Sequence, residues 1–165
     1  MSSQKTNNNP PKVLFVCTAV GARSLFAAGF ANQLVQERAW AFDSGFENGK
    51  ISKRINILLE EVGIPARSQC PKTVFQRAQD NETFDFVVTM CHNAKVIVCP
   101  SFRKTVETIY AKQAEVIDWN IRDFRSIQET GDEWMDVARE IRSNIKSQVI
   151  DLIKGIVSSD NFDLC

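Results

Sequence analysis

Cys17 and Arg23 stand six positions apart and enclose five small or modest residues, Thr18-Ala19-Val20-Gly21-Ala22. Before them, Val13-Leu14-Phe15-Val16 is a continuous apolar run of the kind a parallel strand buried on both faces requires. After them a helical pattern begins. A short loop between a strand and a helix can turn several backbone N–H groups inward, and the helix dipole adds positive potential at the same place. Such a nest, Thr18 to Arg23, suits a tetrahedral dianion. The same potential favours the thiolate form of Cys17, which is the nucleophilic form. The planar fork of Arg23 can grip two oxygens of the anion. Ser24 can donate a hydrogen bond to the Cys17 sulfur and stabilise it as a leaving group. The plainer alternative is a buried cysteine ending a strand and a surface arginine starting a helix. The placement of the pair at a strand-to-helix passage, with a serine following, favours chemistry.

Four further cysteines, Cys70, Cys91, Cys99 and Cys165, bring the total to five at irregular spacing. That pattern is a poor disulfide scaffold, and it lacks the paired C-x-x-C spacing of a structural zinc site. His92 is the only histidine and reads as a polar loop residue. Cys70 and Cys165 read as incidental. Cys91 ends an apolar run and Cys99-Pro100 follows eight residues later; either these two thiols are merely packed or they are reactive.

The elements that must position these residues alternate. Residues 13 to 16 form a first strand. A helix over 24 to 38 presents Phe26, Phe30 and Leu34 at four-residue spacing. Trp40-Ala41-Phe42 is a short strand closed by Asp43-Ser44-Gly45. Ser52 caps a second helix with Ile55, Leu58, Leu59 and Val62 as its stripe, ended by Gly63 and Pro65. Residues 71 to 79 form a weaker helix, Phe84 to Met90 the third strand, and Glu115 to Trp119 the fourth. Thr130 and Glu133 have capping-box spacing before a long helix with Trp134, Val137, Ala138, Ile141, Ile145, Val149, Leu152 and Ile156 in register. This order predicts an α/β fold: a doubly wound four-stranded parallel sheet with helices on both faces, its site beyond the carboxyl ends of the strands.

Twenty basic and twenty acidic side chains cancel, so no global field favours nucleic acid or an anionic membrane, and any anion site must be local. No apolar run approaches a membrane span, and the polar start lacks a signal-peptide core. The expected organisation is a disordered lead-in over 1–11 and one domain over 12–165, cytoplasmic and monomeric.

Val-Leu-Phe-Val-Cys followed by Arg-Ser and a helix resembles the low-molecular-weight protein tyrosine phosphatase superfamily, which includes the thioredoxin-coupled arsenate reductases. The resemblance runs from Lys12 to Arg142, through Asp43-Ser44-Gly45, Glu61-Val62-Gly63-Ile64 and the tryptophan before the fourth loop. It implies Cys17 as nucleophile, Arg23 as oxyanion clamp and Ser24 as partner of the thiolate. Val-Val-Thr-Met-Cys91 leading to Cys99-Pro resembles the reductase branch, which implies a Cys17, Cys91, Cys99 disulfide cascade that reduces arsenate and is recharged by thioredoxin or a similar thiol. Asp123 falls where the family carries its Asp-Pro general acid, with Asp118 as runner-up. Four positions depart from the family: Ala19 and Val20 replace a glycine and an asparagine in the loop, Phe124 replaces the proline and leaves that loop less stiff, and Ala28 replaces a glutamate that helps hold a cation, so no metal site is expected. The alternatives are a phosphatase acting on phosphotyrosine or small phosphoesters through a Cys17 phospho-enzyme, and a degenerate oxyanion-binding module.

Overall fold

The computed structural model describes residues 11–18, 22–35, 40–68, 72–92 and 98–159, the side chains of 98–100, 157 and 159 excepted. Four parallel strands form one sheet: β1 (Lys12–Cys17), β2 (Trp40–Gly45), β3 (Phe86–Cys91) and β4 (Glu115–Asn120), in the order β2-β1-β3-β4. The expected doubly wound sheet is present. Its strands are separated by helices α1 (Ala22–Val35), α2 (Lys53–Glu60), α3 (Val74–Gln79) and α4 (Val98–Tyr110), and α5 (Gly131–Ser159) closes the chain.

Each face of the sheet carries its own core, because side chains alternate along a strand. Val13, Phe15 and Cys17 of β1, with Val88 and Met90 of β3, pack under α1, α2 and α5. Leu14 and Val16, with Val87 and Cys91, pack under α3 and α4 against Val74, Phe102, Val106 and Tyr110. Nothing but aliphatic and aromatic carbon meets at most of these positions, which is why β1 reads as an unbroken apolar run.

Several expectations shift. β2 continues through Asp43-Ser44-Gly45, in register with Phe15, Val16 and Cys17, instead of stopping at Phe42. The ladder overrides the weak strand propensity of these residues, and Arg67 takes up the Asp43 carboxylate at 3.0 Å. Leu34 is exposed on α1 although Phe26 and Phe30 are buried. Helix α4 went unread in the sequence, although Phe102, Val106 and Tyr110 recur every fourth residue and are buried. Ser52 caps α2 as expected, accepting from the Ile55 N–H, and Gly63 follows it at φ +72°, where a side chain would be strained. Of the expected lead-in, residues 1–10 lie outside the described residues, and the Pro11 carbonyl accepts from the Trp40 N–H. Among the described residues no helix is long and apolar enough to cross a membrane.

Candidate active site

Cys17 is the last residue of β1 and is buried at the base of a cavity whose lining includes Arg23 and Asp123. Register pairs it with Gly45 on one side and Met90 on the other. It is reduced, with its Sγ 3.4 Å from the Ser24 Oγ. Ser24 sits in the first turn of α1 and is fully buried. Its hydroxyl lies 3.1 Å from the Ser44 carbonyl, to which it donates. A hydroxyl has one proton. While Ser24 gives that proton to Ser44, the Cys17 S–H donates to Ser24. Once Cys17 is a thiolate it can only accept, so the Ser24 hydroxyl turns toward the sulfur.

Arg23 precedes it in the same turn and is buried to 3% exposure, which a guanidinium tolerates only when its donors are matched. Its Nη1 donates to the Ile121 carbonyl at 3.0 Å, just past β4. Its Nη2 donates to Thr18 Oγ1 at 2.8 Å and to Asp123 Oδ2 at 2.9 Å. The backbone bond fixes the plane of the fork, and the edge that faces the cavity ends on a carboxylate, showing that it can hold an anionic oxygen.

Asp123 is gripped from a second side. Arg125 donates to it through its backbone N–H at 2.9 Å and through its guanidinium at 2.9 Å. Burial pushes the Asp123 carboxyl up, but the Arg125 hydrogen bonds and the Arg23 charge outweigh it and leave the group below its ordinary value. An anion that engages Arg23 would weaken one of these holds and add negative charge beside the carboxylate, and both effects favour its protonated form. Phe124, expected to loosen this loop, fastens it instead: its ring is buried and packs 5.5 Å from Phe26 of α1. Core burial here does the work of a stiff ring. Asp118, the runner-up, points to the other face of the sheet, where it accepts from Thr89 at 2.8 Å and pairs with Arg103 of α4. It does not line the cavity.

Cys91 ends β3 opposite Asn120 and is buried in the core under α4, on the face away from Cys17. It is half of a disulfide whose partner lies outside the described side chains. Cys99 is in the first turn of α4, its side chain undescribed, and Cys70, Cys165 and Ala19–Gly21 lie outside the described residues. His92 is half-buried in the loop after β3. Ala28 is buried in the core. Among the described residues no group of three or more His, Cys, Asp or Glu side chains is placed to hold a metal ion.

Sequence reasoning missed Arg77. Buried in α3, it donates through Nε to Ser44 Oγ at 2.7 Å and through Nη2 to the Asp43 carbonyl at 3.1 Å, with its third arm on Glu82. It thereby holds the end of β2, whose Ser44 carbonyl receives Ser24. The signal available was an arginine three residues after Val74 in a short helix, which alone says nothing about its partner.

A model of the low molecular weight phosphotyrosine protein phosphatase matches residues 12–160. The chain belongs to this family. Within it, the chain is 24% identical over 141 residues to an arsenate reductase of Halalkalibacterium halodurans, covering 86% of this chain and 94% of that one. A solved arsenate reductase in its oxidized state superposes with a TM-score of 0.67 at 25% identity, covering 88% of this chain and 98% of that chain. A thioredoxin-dependent arsenate reductase from Corynebacterium glutamicum shares the fold, with a TM-score of 0.62 at 21% identity over 94% of this chain and 66% of that chain. The chain is thus an enzyme of the low-molecular-weight phosphatase and arsenate reductase family, and the phosphatase fold sets Cys17, Arg23 and Asp123 around one cavity.

Proposed function

We propose that this phosphatase-family chain reduces arsenate to arsenite, with Cys17 as nucleophile and Cys91 and Cys99 as the electron donors. The observation that carries the reading is the conjunction of the Cys17, Ser24, Arg23 and Asp123 cluster with a disulfide-bonded Cys91 on the next strand. Arsenate binds on Arg23. The Cys17 thiolate attacks arsenic, and Asp123 gives its proton to the departing oxygen, forming a sulfur–arsenic bond and releasing water. The Cys91 thiolate then attacks the Cys17 sulfur. That step makes the Cys17–Cys91 disulfide, breaks the sulfur–arsenic bond and leaves its electron pair on arsenic, so arsenite departs. Cys99 attacks Cys91, forming the Cys91–Cys99 disulfide and freeing Cys17. An external dithiol of the thioredoxin type returns the two electrons.

The register bears on the second step. Cys17 pairs with Met90, and Cys91 is one residue further, so strand spacings put the two cysteine Cα atoms roughly 6 Å apart, inside the disulfide range. Distance is no obstacle. Orientation is, because Cys91 faces the α4 side. The scheme therefore requires the last residue of β3 to turn over in the reduced protein. A second reading, hydrolysis of a phosphomonoester through a Cys17 phospho-enzyme, is favoured by a cavity roomier than arsenate requires. One experiment separates them. Adding one equivalent of arsenate to the fully reduced protein, without thioredoxin, should consume two thiols, and peptide mapping should find Cys91 joined to Cys99; Cys99→Ser should stall with Cys17 joined to Cys91. Five thiols surviving arsenate while aryl phosphate is hydrolysed would hand the site to the phosphatase reading.

A further inference from the structure

Asp118 takes no part in the cavity over Cys17, yet both of its carboxylate oxygens are engaged. Oδ1 accepts from the Thr89 hydroxyl at 2.8 Å, and Oδ2 pairs with the Arg103 guanidinium of α4. Thr89 pairs with Asp118 in register and Cys91 with Asn120, two residues further along the same face of the sheet. Arg103 follows Phe102, which is buried in the cluster that also contains Cys91. The ion pair thus joins helix to sheet beside the carbon that covers Cys91. At the other end of α4, Tyr110 is buried in the same cluster and its hydroxyl donates to the Val74 carbonyl of α3 at 3.5 Å. These holds differ in kind. Thr89 is almost wholly buried, whereas the Arg103 and Asp118 side chains are 35% and 31% exposed, within reach of solvent and salt.

We propose that Arg103 and Asp118 are positioning residues for the Cys91 step: their ion pair latches the first turns of α4 against β4, and its release sets how often Cys91 is uncovered. The inference rests on the reading of Cys91 as the thiol that attacks the Cys17 sulfur. That reading needs Cys91 to leave the core it shares with Phe102. Room for it opens when the first turns of α4 lift while Tyr110 stays seated. The weakest polar link across that opening is the partly exposed one, so the break falls between Arg103 and Asp118. Arg103 then passes to water, Asp118 keeps its bond from Thr89, and the sheet is undisturbed. Salt screens the ion pair and leaves the apolar stripe in place, so the latch loosens as ionic strength rises.

The test is the rate at which iodoacetamide alkylates Cys91 in the fully reduced protein, read by peptide mapping with Cys17 in the same sample as reference. Arg103→Gln and Asp118→Asn should each raise the Cys91 rate about two- to fivefold, the size expected for a partly exposed ion pair. The double variant should be no faster than the faster single one. Arg103→Lys, which keeps the charge, should stay near the wild type, and sodium chloride should speed Cys91 in the wild type but not in the double variant. Cys17 should keep its rate throughout. An unchanged Cys91 rate, additive effects in the double variant, or equal acceleration of Cys17 would overturn the latch, the last by showing general loosening. The arsenate titration reports separately on the cascade. Rates that respond as expected while arsenate consumes no thiol uphold the latch and sink the cascade; a working cascade with unresponsive rates does the reverse.

Discussion

Two strand-to-helix passages in this protein each place a cysteine on the last residue of the strand, and the helices that follow are held very differently. From Cys17, β1 passes into α1, whose buried residues include Arg23, Ser24, Leu25, Phe26, Ala27, Ala28, Phe30, Ala31 and Val35, nine of its 14. A helix enclosed on nearly every side cannot shift without disturbing the sheet and α5 together, so it holds the Arg23 fork and the Ser24 hydroxyl still. From Cys91, β3 passes into α4, which is buried along one stripe, Phe102, Val106 and Tyr110, with Ser101, Lys104 and Glu107 exposed. A helix fastened along one stripe opens at lower cost than one fastened all round. Preorganised donors speed a reaction that develops charge, whereas the proposed cascade would ask the Cys91 thiol to travel on a support able to give. The two cysteines differ less in their strands than in the helices that follow.

The sharpest way to break this comparison is to remove each nucleophile. Cys17→Ser should abolish both arsenite release and phosphoester hydrolysis, because a hydroxyl is a far weaker nucleophile than a thiol. Cys91→Ser should abolish arsenite release alone. Parallel assays of both products check it, and loss of phosphoester hydrolysis in Cys91→Ser would dissolve the division of labour.

Packing tests come next in size. Phe102→Ala takes a fully buried aromatic ring out of the α4 stripe and should cost about 3–5 kcal/mol in urea unfolding. Gly29→Ala adds one methyl to α1, where the new Cβ would stand 2.6 Å from the Ile64 Cδ1 and 2.8 Å from its Cγ2. Ile64 can move only partly, so the expected cost is about 1–3 kcal/mol. A neutral Gly29→Ala would mean that α1 has slack and that its rigidity is overstated.

The smallest effect is a pH dependence. The Asp123 carboxyl is held below its ordinary value in the folded protein, the Arg125 hydrogen bonds and the Arg23 charge outweighing the opposing effect of burial. The stability it contributes is therefore full above the ordinary carboxylate value and disappears as pH falls through the lowered one. Asp123→Asn should lower Tm by about 2–4 °C near neutrality, the response of a chain this size to ~1 kcal/mol. That gap should close as the solution is acidified. A gap that stays constant down to strongly acid pH would show that shape, not charge, anchors Asp123.

Where the sequence is regular it was legible. The apolar run before Cys17, the Ser52 cap and the periodic stripe of α5 each depend on near neighbours, and each became the element expected of it. α4 is harder to read because its buried residues, Phe102, Val106 and Tyr110, form one narrow stripe among polar neighbours, although a proline in a first turn suits a helix start. The candidate site was readable as far as its contents. Cys17, Arg23 and Asp123 do line one cavity. That Asp118 faces the other way follows from its register with Thr89, and a one-residue slip would have reversed it.

Composition and local pattern thus determined the strands, most helices and the chemical types at the strand ends, since propensity, capping and periodicity act over a few residues. Only the tertiary structure decided which face each of those residues addresses. It set Phe124 on Phe26, Arg77 on Ser44, and Cys91 away from Cys17. Those outcomes come from pairing between segments far apart in the chain, and the alternation of side chains along a strand turns each register into a choice of core.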